Sequence, residues 1–326
     1  ILNIDETPWN EFKRKLKMQV AAGNPSTVFI MDSGFVATMG AAGILVDLND
    51  KVENDINVEE YSSTLFAGLD KKGRLWGVPH GINSVALFYN KTLFDETGIS
   101  YPAVDWTFED MFEAAAKLTK KDSKGVTQQY GLTFGGNITV GWLPFVLAAG
   151  GAPLDETRTK SMFKDPKTIE GIRKYIQPIE EGFAPDSKWL AANGNYTAAF
   201  YMSKAAMLIS QASGTGTVNK NAPEGFSYDV QMLPIGWDGN RHIVYVPNQW
   251  SIYDKAPQAE KDAAWEWIKY FINEESQMLV ADTMLAGFPI KKSALSHIDQ
   301  KKPLRGSGID FIKYLTLSTQ RFARKC

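Results

Sequence analysis

The chain has one cysteine, three histidines and no long apolar run. Cys326 alone closes no internal disulfide and no multi-cysteine zinc site, and its position at the end excludes an N-terminal lipid-bearing cysteine. No stretch approaches the ~20 apolar residues that cross a bilayer. An excess of one charge is also missing: 35 Lys and Arg against 37 Asp and Glu give a net charge of -2. Neither a nucleic acid nor an anionic membrane is therefore expected as a partner. No leader pattern is visible, which leaves two readings: a cytosolic chain, or a sequence that starts past a removed leader.

Catalytic signatures are missing as well. His80, His242 and His297 are never four residues apart, and no HExxH, GxSxG or GxxxxGK[ST] pattern occurs. Ser213-Gly214-Thr215-Gly216 lacks the lysine and the further glycine of a phosphate cradle and reads as a turn. Asp47-Leu48-Asn49-Asp50 lacks EF-hand spacing and reads as a solvated loop. Glu180-Glu181 and Glu274-Glu275 read as solvated helix ends. Two carboxylates brought together only in space would escape this reading, so a glycoside-processing enzyme stays as an alternative. No catalytic residue, cofactor or metal is expected. The Asn-x-Thr sequons at Asn90, Asn137 and Asn195 are read as chance.

What is present suits a globular protein. With 326 residues, 44% hydrophobic, the chain is long enough for two domains and too apolar for disorder. Nine Trp and twelve Tyr are many for such a composition, and rings with polar tips serve core packing and sugar stacking alike.

Periodicity predicts an alternation of elements. Thr7 and Pro8 open a helix carrying Trp9, Phe12, Leu16 and Val20, stopped at Gly23-Asn24-Pro25. Strands are predicted at Val28–Met31, Trp76–Pro79, Val85–Tyr89, Ala206–Ile209, Val230–Leu233 and Ile243–Val246. Helices are predicted at Phe35–Ala42, after Thr107 with Asp110 as a capping box, from Asp165-Pro166 along Ile169, Ile172, Ile176 and Ile179, and over Ala259–Ile272. Alternating strands and helices argue for an α/β protein with largely parallel sheets. No repeat and no low-complexity linker is found, so two domains would be joined by ordered strands.

Several segments, in order, resemble the extracellular solute-binding protein family 1, the ABC-transporter proteins that include maltodextrin-binding protein. They are Gly43–Leu48, Gly73-Arg74-Leu75-Trp76-Gly77-Val78-Pro79, Leu87-Phe88-Tyr89-Asn90-Lys91-Thr92-Leu93-Phe94 with Gly98, Trp106–Asp110, Ala148–Gly151, Lys204-Ala205-Ala206-Met207, Ala263–Phe271, and Gly287-Phe288-Pro289-Ile290 with Lys292-Ser293. The family's first strand, before the first helix, is missing, and no family pattern follows about residue 304.

The resemblance implies a two-lobed α/β fold of the maltose-binding type with a ligand cleft between hinged lobes. It places 1–88 plus 252–291 in one lobe and 89–251 plus 292–326 in the other. It implies reversible binding of a carbohydrate (a mono- or oligosaccharide or a polyol), ABC permease subunits as partners, a monomer, and a location in a periplasm or lipid-anchored on the outer face of the cytoplasmic membrane. Alternatives are a non-sugar solute such as a glycerophosphodiester, and the enzyme above. An anion would want cleft arginines, and Arg158, Arg173 and Arg241 are not in the expected cleft loops.

Candidate ligand residues are polar or aromatic side chains in those loops. Asp32, Ser33 and Phe35 follow the first strand, although Asp32 or Ser33 could equally cap a helix. His80 could equally be a buried structural histidine. Asn83 matches a position where relatives place a carboxylate. Trp142 precedes the Ala148–Gly151 turn. Gln211 and Ser213 follow the Ala206–Ile209 strand. Asn248, Gln249 and Trp250 form an amide–amide–indole triplet at the return crossing. Phe288 lies in the glycine–proline loop, where packing is the competing role.

Overall fold

A computed structural model describes residues 3–7, 9–62, 73–157, 159–283 and 287–301. The chain opens with α1 (Trp9–Ala21), β1 (Val28–Asp32), α2 (Ser33–Ala41) and α3 (Asn49–Asp55), and then the long strand β2 (Val78–Asn90). Helices α4 (Lys91–Thr97) and α5 (Phe108–Leu118), strands β3 (Lys120–Lys121) and β4 (Thr127–Phe134), and α6 (Trp142–Ala148) follow. Next come α7 (Pro166–Glu180), α8 (Ser187–Ala192), α9 (Tyr196–Tyr201), β5 (Ala205–Gln211), α10 (Gly214–Asn221) and β6 (Tyr228–Met232). Strand β7 (Tyr245–Ile252) and helices α11 (Gln258–Ile272), α12 (Glu274–Thr283) and α13 (Lys292–Lys301) close the described chain.

Local chemistry sets many of these boundaries. Asp32 caps α2 by accepting from the Phe35 N–H at 3.1 Å. Thr107 and Asp110 form the reciprocal capping box on α5. The sequon asparagines have structural work: Asn90 caps α4, Asn195 caps α9, and Asn137 accepts from the Thr139 and Val140 N–H groups. The Ser213–Gly216 segment, read as a turn, instead starts helix α10.

The sheet order is β1-β7-β2-β5-β4-β3, with β6 also beside β2. One strand therefore serves two sheets. Val78–Ser84 pairs with β7, whereas Val85–Asn90 pairs with β5 and β6. The two strand segments expected on either side of residue 80 are thus one continuous strand. β7 begins at Tyr245 rather than near Ile243 and runs on to Ile252.

The expectation of largely parallel sheets is corrected. Among the described strands only β4 and β5 pair in parallel; β1–β7, β2–β7, β2–β5, β2–β6 and β3–β4 are antiparallel. The cause is the pair of crossing strands. β2 leaves the first sheet and β7 returns to it, so β7 runs against both its neighbours.

Three apolar clusters hold these layers. Leu16, Phe29, Met31, Val36, Met39 and Trp76 fill the space between the first sheet, α1 and α2. Val85, Leu87, Phe94, Met111, Phe145 and Ile209 are among those filling one face of the second sheet. A third cluster runs along both sheets, from Leu48, Val78 and Trp265 to Phe88 and Phe200. Each large side chain so buried contributes about 1.5–3 kcal/mol.

Two further elements differ from their sequence reading. The expected stripe of α7 is only half its buried face: Ile172 and Ile179 are half-buried, Ile179 against the core of the second sheet, whereas Ile169 and Ile176 are exposed and Thr168, Gly171 and Pro178 are buried. A Cβ on Gly171 would stand 2.3 Å from the Val146 Cα, so α6 and α7 meet backbone to backbone at small residues. Helix α13, assigned from sequence to the second lobe with 292–326, packs on α12; at its start Lys292 Nζ donates to the Glu59 carbonyl, and Lys291 just before it pairs with Glu60. Residues 302–326 lie outside the described residues.

Candidate functional site

β2 changes partners between Ser84 and Val85, and the polar candidates gather there. Asn83 is the penultimate residue of the β2 segment paired with β7, lying opposite Val246. Gln211 ends β5, and Ser213 precedes α10. The three side chains are joined: Asn83 Nδ2 donates to Gln211 Oε1 at 2.8 Å and to Ser213 Oγ at 2.9 Å. The Ser213 N–H donates to Asn83 Oδ1 at 3.1 Å. Asn83 is buried, while Gln211 and Ser213 are half-buried.

Two residues along the first sheet, Asn248 lies opposite both Asp32 and Gly81. Paired residues share a face of a sheet and strand neighbours alternate. Asp32, Asn248 and Asn83 therefore share a face. α2 starts at this row, so its first residues, Ser33 to Phe35, sit beside it. Asp32 is already engaged on both oxygens: Oδ1 caps Phe35 and Oδ2 pairs with Lys13 at 2.5 Å. Lys17 stands 5.5 Å above the Phe35 ring. Neither lysine is singled out by sequence, because solvated helix lysines carry no local signal of their partner.

The triplet at 248–250 is split by the same alternation. Asn248 and Trp250 share one face. Gln249 faces the other way, beside Met31 and Ser251, and is fully buried. A Cβ on Gly77 would lie 2.9 Å from the Gln249 Cβ, which shows how closely that side is filled. Phe288 is likewise fully buried in the cluster along both sheets. Gln249 and Phe288 are therefore corrected to interior residues, since neither offers surface to a ligand.

Trp250 and His80 are neighbours, with ring centroids 5.9 Å apart. Phe271 and Trp267 of α11 complete the group at 4.9 Å and 6.2 Å from Trp250. His80 Nε2, Trp250 Nε1 and Trp267 Nε1 are all enclosed without a hydrogen-bond partner. Burial alone pulls the His80 imidazole down to about 4, so it is neutral at pH 7. Its carbonyl accepts from Gln277 Nε2 at 2.9 Å. His80 thus has its carbonyl bonded and its Nε2 enclosed and unpartnered.

Trp142 starts α6 after the loop that follows β4, and its ring meets Phe163 at 5.4 Å. β4 and β5 run parallel, with Phe134 opposite Ile209, so the loop before Trp142 and the Gln211–Ser213 segment leave the same edge of the second sheet. The structure therefore joins Asn83, Gln211 and Ser213, sets Asn248 and Asp32 on the Asn83 face of the first sheet with Ser33 beside Asp32, and places Trp142 on the same edge of the second sheet; Phe35 packs against the first-sheet core cluster. It sets Gln249 and Phe288 apart.

Arg241 is used internally: its guanidinium donates to the Leu233 and Val104 carbonyls. Arg158 lies outside the described residues.

Comparison with known proteins agrees with this architecture. A maltotriose-binding protein of Pyrococcus abyssi is 24% identical over 267 residues, covering 80% of this chain and 54% of that protein. An ABC substrate-binding protein from Listeria monocytogenes, solved in complex with cycloalternan, superposes with a TM-score of 0.82 at 22% identity, covering 95% of this chain and 78% of that one. A solute-binding protein from Agrobacterium radiobacter in complex with ribitol gives 0.81 at 21%, covering 97% and 78%. The chain spans 54% to 65% of the length of the curated relatives it matches over most of its own length. The shared fold is the two-lobed, maltose-binding-like α/β fold. The model of the bacterial extracellular solute-binding proteins matches residues 2–278, and the chain belongs to that family.

Proposed function

We propose that this protein is the extracytoplasmic solute-capturing component of an ABC importer, and that it holds a neutral mono- or oligosaccharide or polyol reversibly and unchanged. The observation that carries this reading is the linked Asn83–Gln211–Ser213 group at the point where β2 passes from one sheet to the other. An uncharged hydrogen-bonding group at a strand crossing, with Asn83 buried beneath the half-buried Gln211 and Ser213, is suited to a polyhydroxylated guest held between two lobes. The lobe junction is drawn at Ser84–Val85 and Val244–Tyr245, where the pairing changes. The ligand surface comprises Gln211, Ser213, Asn248, Ser33 and Phe35, with Trp142 as the stacking ring.

The partners in this reading are the ABC permease subunits, with the chain acting as a monomer in a periplasm or tethered to the outer face of the cytoplasmic membrane. No catalytic step is assigned. The maltotriose, cycloalternan and ribitol ligands of the relatives support a polyhydroxylated guest.

A thermal-shift panel of maltose, maltotriose, ribitol and erythritol, with glycerophosphocholine as the anionic-diester control, tests the reading. A true ligand at ~100-fold its Kd adds about 2.7 kcal/mol and raises the melting temperature by roughly 5 °C. A shift with glycerophosphocholine alone would replace the carbohydrate reading with a phosphodiester one.

A further inference from the structure

The polarity of the junction follows from one backbone group. A peptide N–H can only donate, so the Ser213 N–H fixes the Asn83 atom that it meets as the oxygen. The other end of the Asn83 amide is then the NH₂ group, which donates to both Gln211 and Ser213 Oγ. Gln211 must therefore turn its oxygen inward. Its own NH₂ group lies at the opposite end of the same planar amide and points away from Asn83. The Ser213 hydroxyl, already accepting from Asn83, keeps its hydrogen to give elsewhere.

We propose that Asn83 is a positioning residue that makes the cleft a donor at Gln211 and Ser213, so that the ligand atom taken there is a neutral oxygen acting as acceptor. Asn83 does not meet the ligand itself: it is buried and both ends of its amide are used within the protein. Two uncharged donors suit a hydroxyl, ring or glycosidic oxygen better than a carboxylate, which loses more solvation and wants a cation. The ligand class rests on the carbohydrate reading above; the amide orientations do not.

The substitution Asn83→Asp separates this from a merely structural role. One carboxylate oxygen still accepts from the Ser213 N–H. The other now faces Gln211, whose amide turns over to donate inward and offers Oε1 to the cleft. The Ser213 hydroxyl donates inward as well. Side-chain amide hydrogen exchange, read by NMR on the full ligand-free chain, gives the first readout. In the wild type the Asn83 NH₂ exchanges about tenfold or more slowly than the Gln211 NH₂, the protection expected of one retained hydrogen bond. In Asn83→Asp the Gln211 NH₂ slows by a similar factor.

The second readout uses the sugar or polyol that stabilises the wild type most, with its singly deoxygenated and O-methylated analogues. At the contacted position the wild type tolerates O-methylation, which keeps the acceptor, and loses about tenfold on deoxygenation. Asn83→Asp loses about tenfold on O-methylation too, because the site then asks for a donor. Gln211→Glu turns an oxygen to the cleft at position 211 while the Ser213 hydroxyl still donates, so it must lose affinity on O-methylation of the ligand oxygen that meets residue 211, which keeps the test decisive if Asn83→Asp fails to fold. Equal protection of both amides in the wild type, or an unchanged analogue preference in both variants, overturns the proposal. If no sugar or polyol binds the wild type, the carbohydrate reading fails, and the exchange experiment still decides the amide orientations.

Discussion

His80 interrupts the register of β2 with β7 between Pro79 and Gly81, and its ring is held against Trp250 with Nε2 enclosed and unpartnered. In the unfolded chain the imidazole titrates near 6.5; in the fold, burial pulls it down to about 4. Between those two values the unfolded chain binds a proton that the folded chain does not. Stability from this residue is therefore complete above pH 6.5 and declines as the pH falls toward 4, by at most about 3 kcal/mol. Melting curves across that window should show the decline in the wild type. His80→Phe, which keeps a ring against Trp250 and discards the unpartnered nitrogen, should remove most of it. At this scale the sequence was half legible. The amides Asn83 and Gln211 are conspicuous as letters, but their bonding to each other depends on a contact 128 positions apart along the chain. With a strand crossing near 245–251, alternation forbids Asn248, Gln249 and Trp250 from sharing one face; which of them turns inward is decided by the pairing with β1, where Gln249 lies opposite Met31.

The elements themselves were the most readable part, where local chemistry decides them. The Thr107–Asp110 capping box is a four-residue pattern, and α5 starts at it. Thr107→Ala should cost about 1 kcal/mol, measurable by denaturant titration, with the slope unchanged. The buried face of α7 was less readable. Its isoleucines promised a core stripe, yet the close approach of α6 requires the small Gly171 at the contact. Gly171→Ala must push α6 outward, and α6 carries Trp142 at its first position. We expect a loss of about 1–3 kcal/mol in the same denaturant titration, with weaker ligand binding as a second consequence. Strand pairing was the least readable. Element order suggested parallel neighbours, but the antiparallel partners of β2 and β7 arise from strands crossing between two sheets, which no local window reports.

For the whole molecule, one strand in two sheets has a mechanical consequence. Val78–Ser84 of β2 pairs with β7 and Val85–Tyr89 with β5; in the proposed two-lobed reading the lobes turn about Ser84–Val85 and Val244–Tyr245. Small-angle scattering should show a smaller radius of gyration with the stabilising sugar than without it. Several tryptophans lie near the proposed cleft or its supporting ring cluster, so their fluorescence should change in the same titration. The most direct measurement of the central claim is calorimetric titration of the unmodified chain with that sugar, followed by mass analysis of the recovered compound. The account predicts one equivalent bound, reversibly, with the sugar returned intact. Absence of binding by every neutral sugar and polyol of the panel, or recovery of a cleaved product, would contradict it.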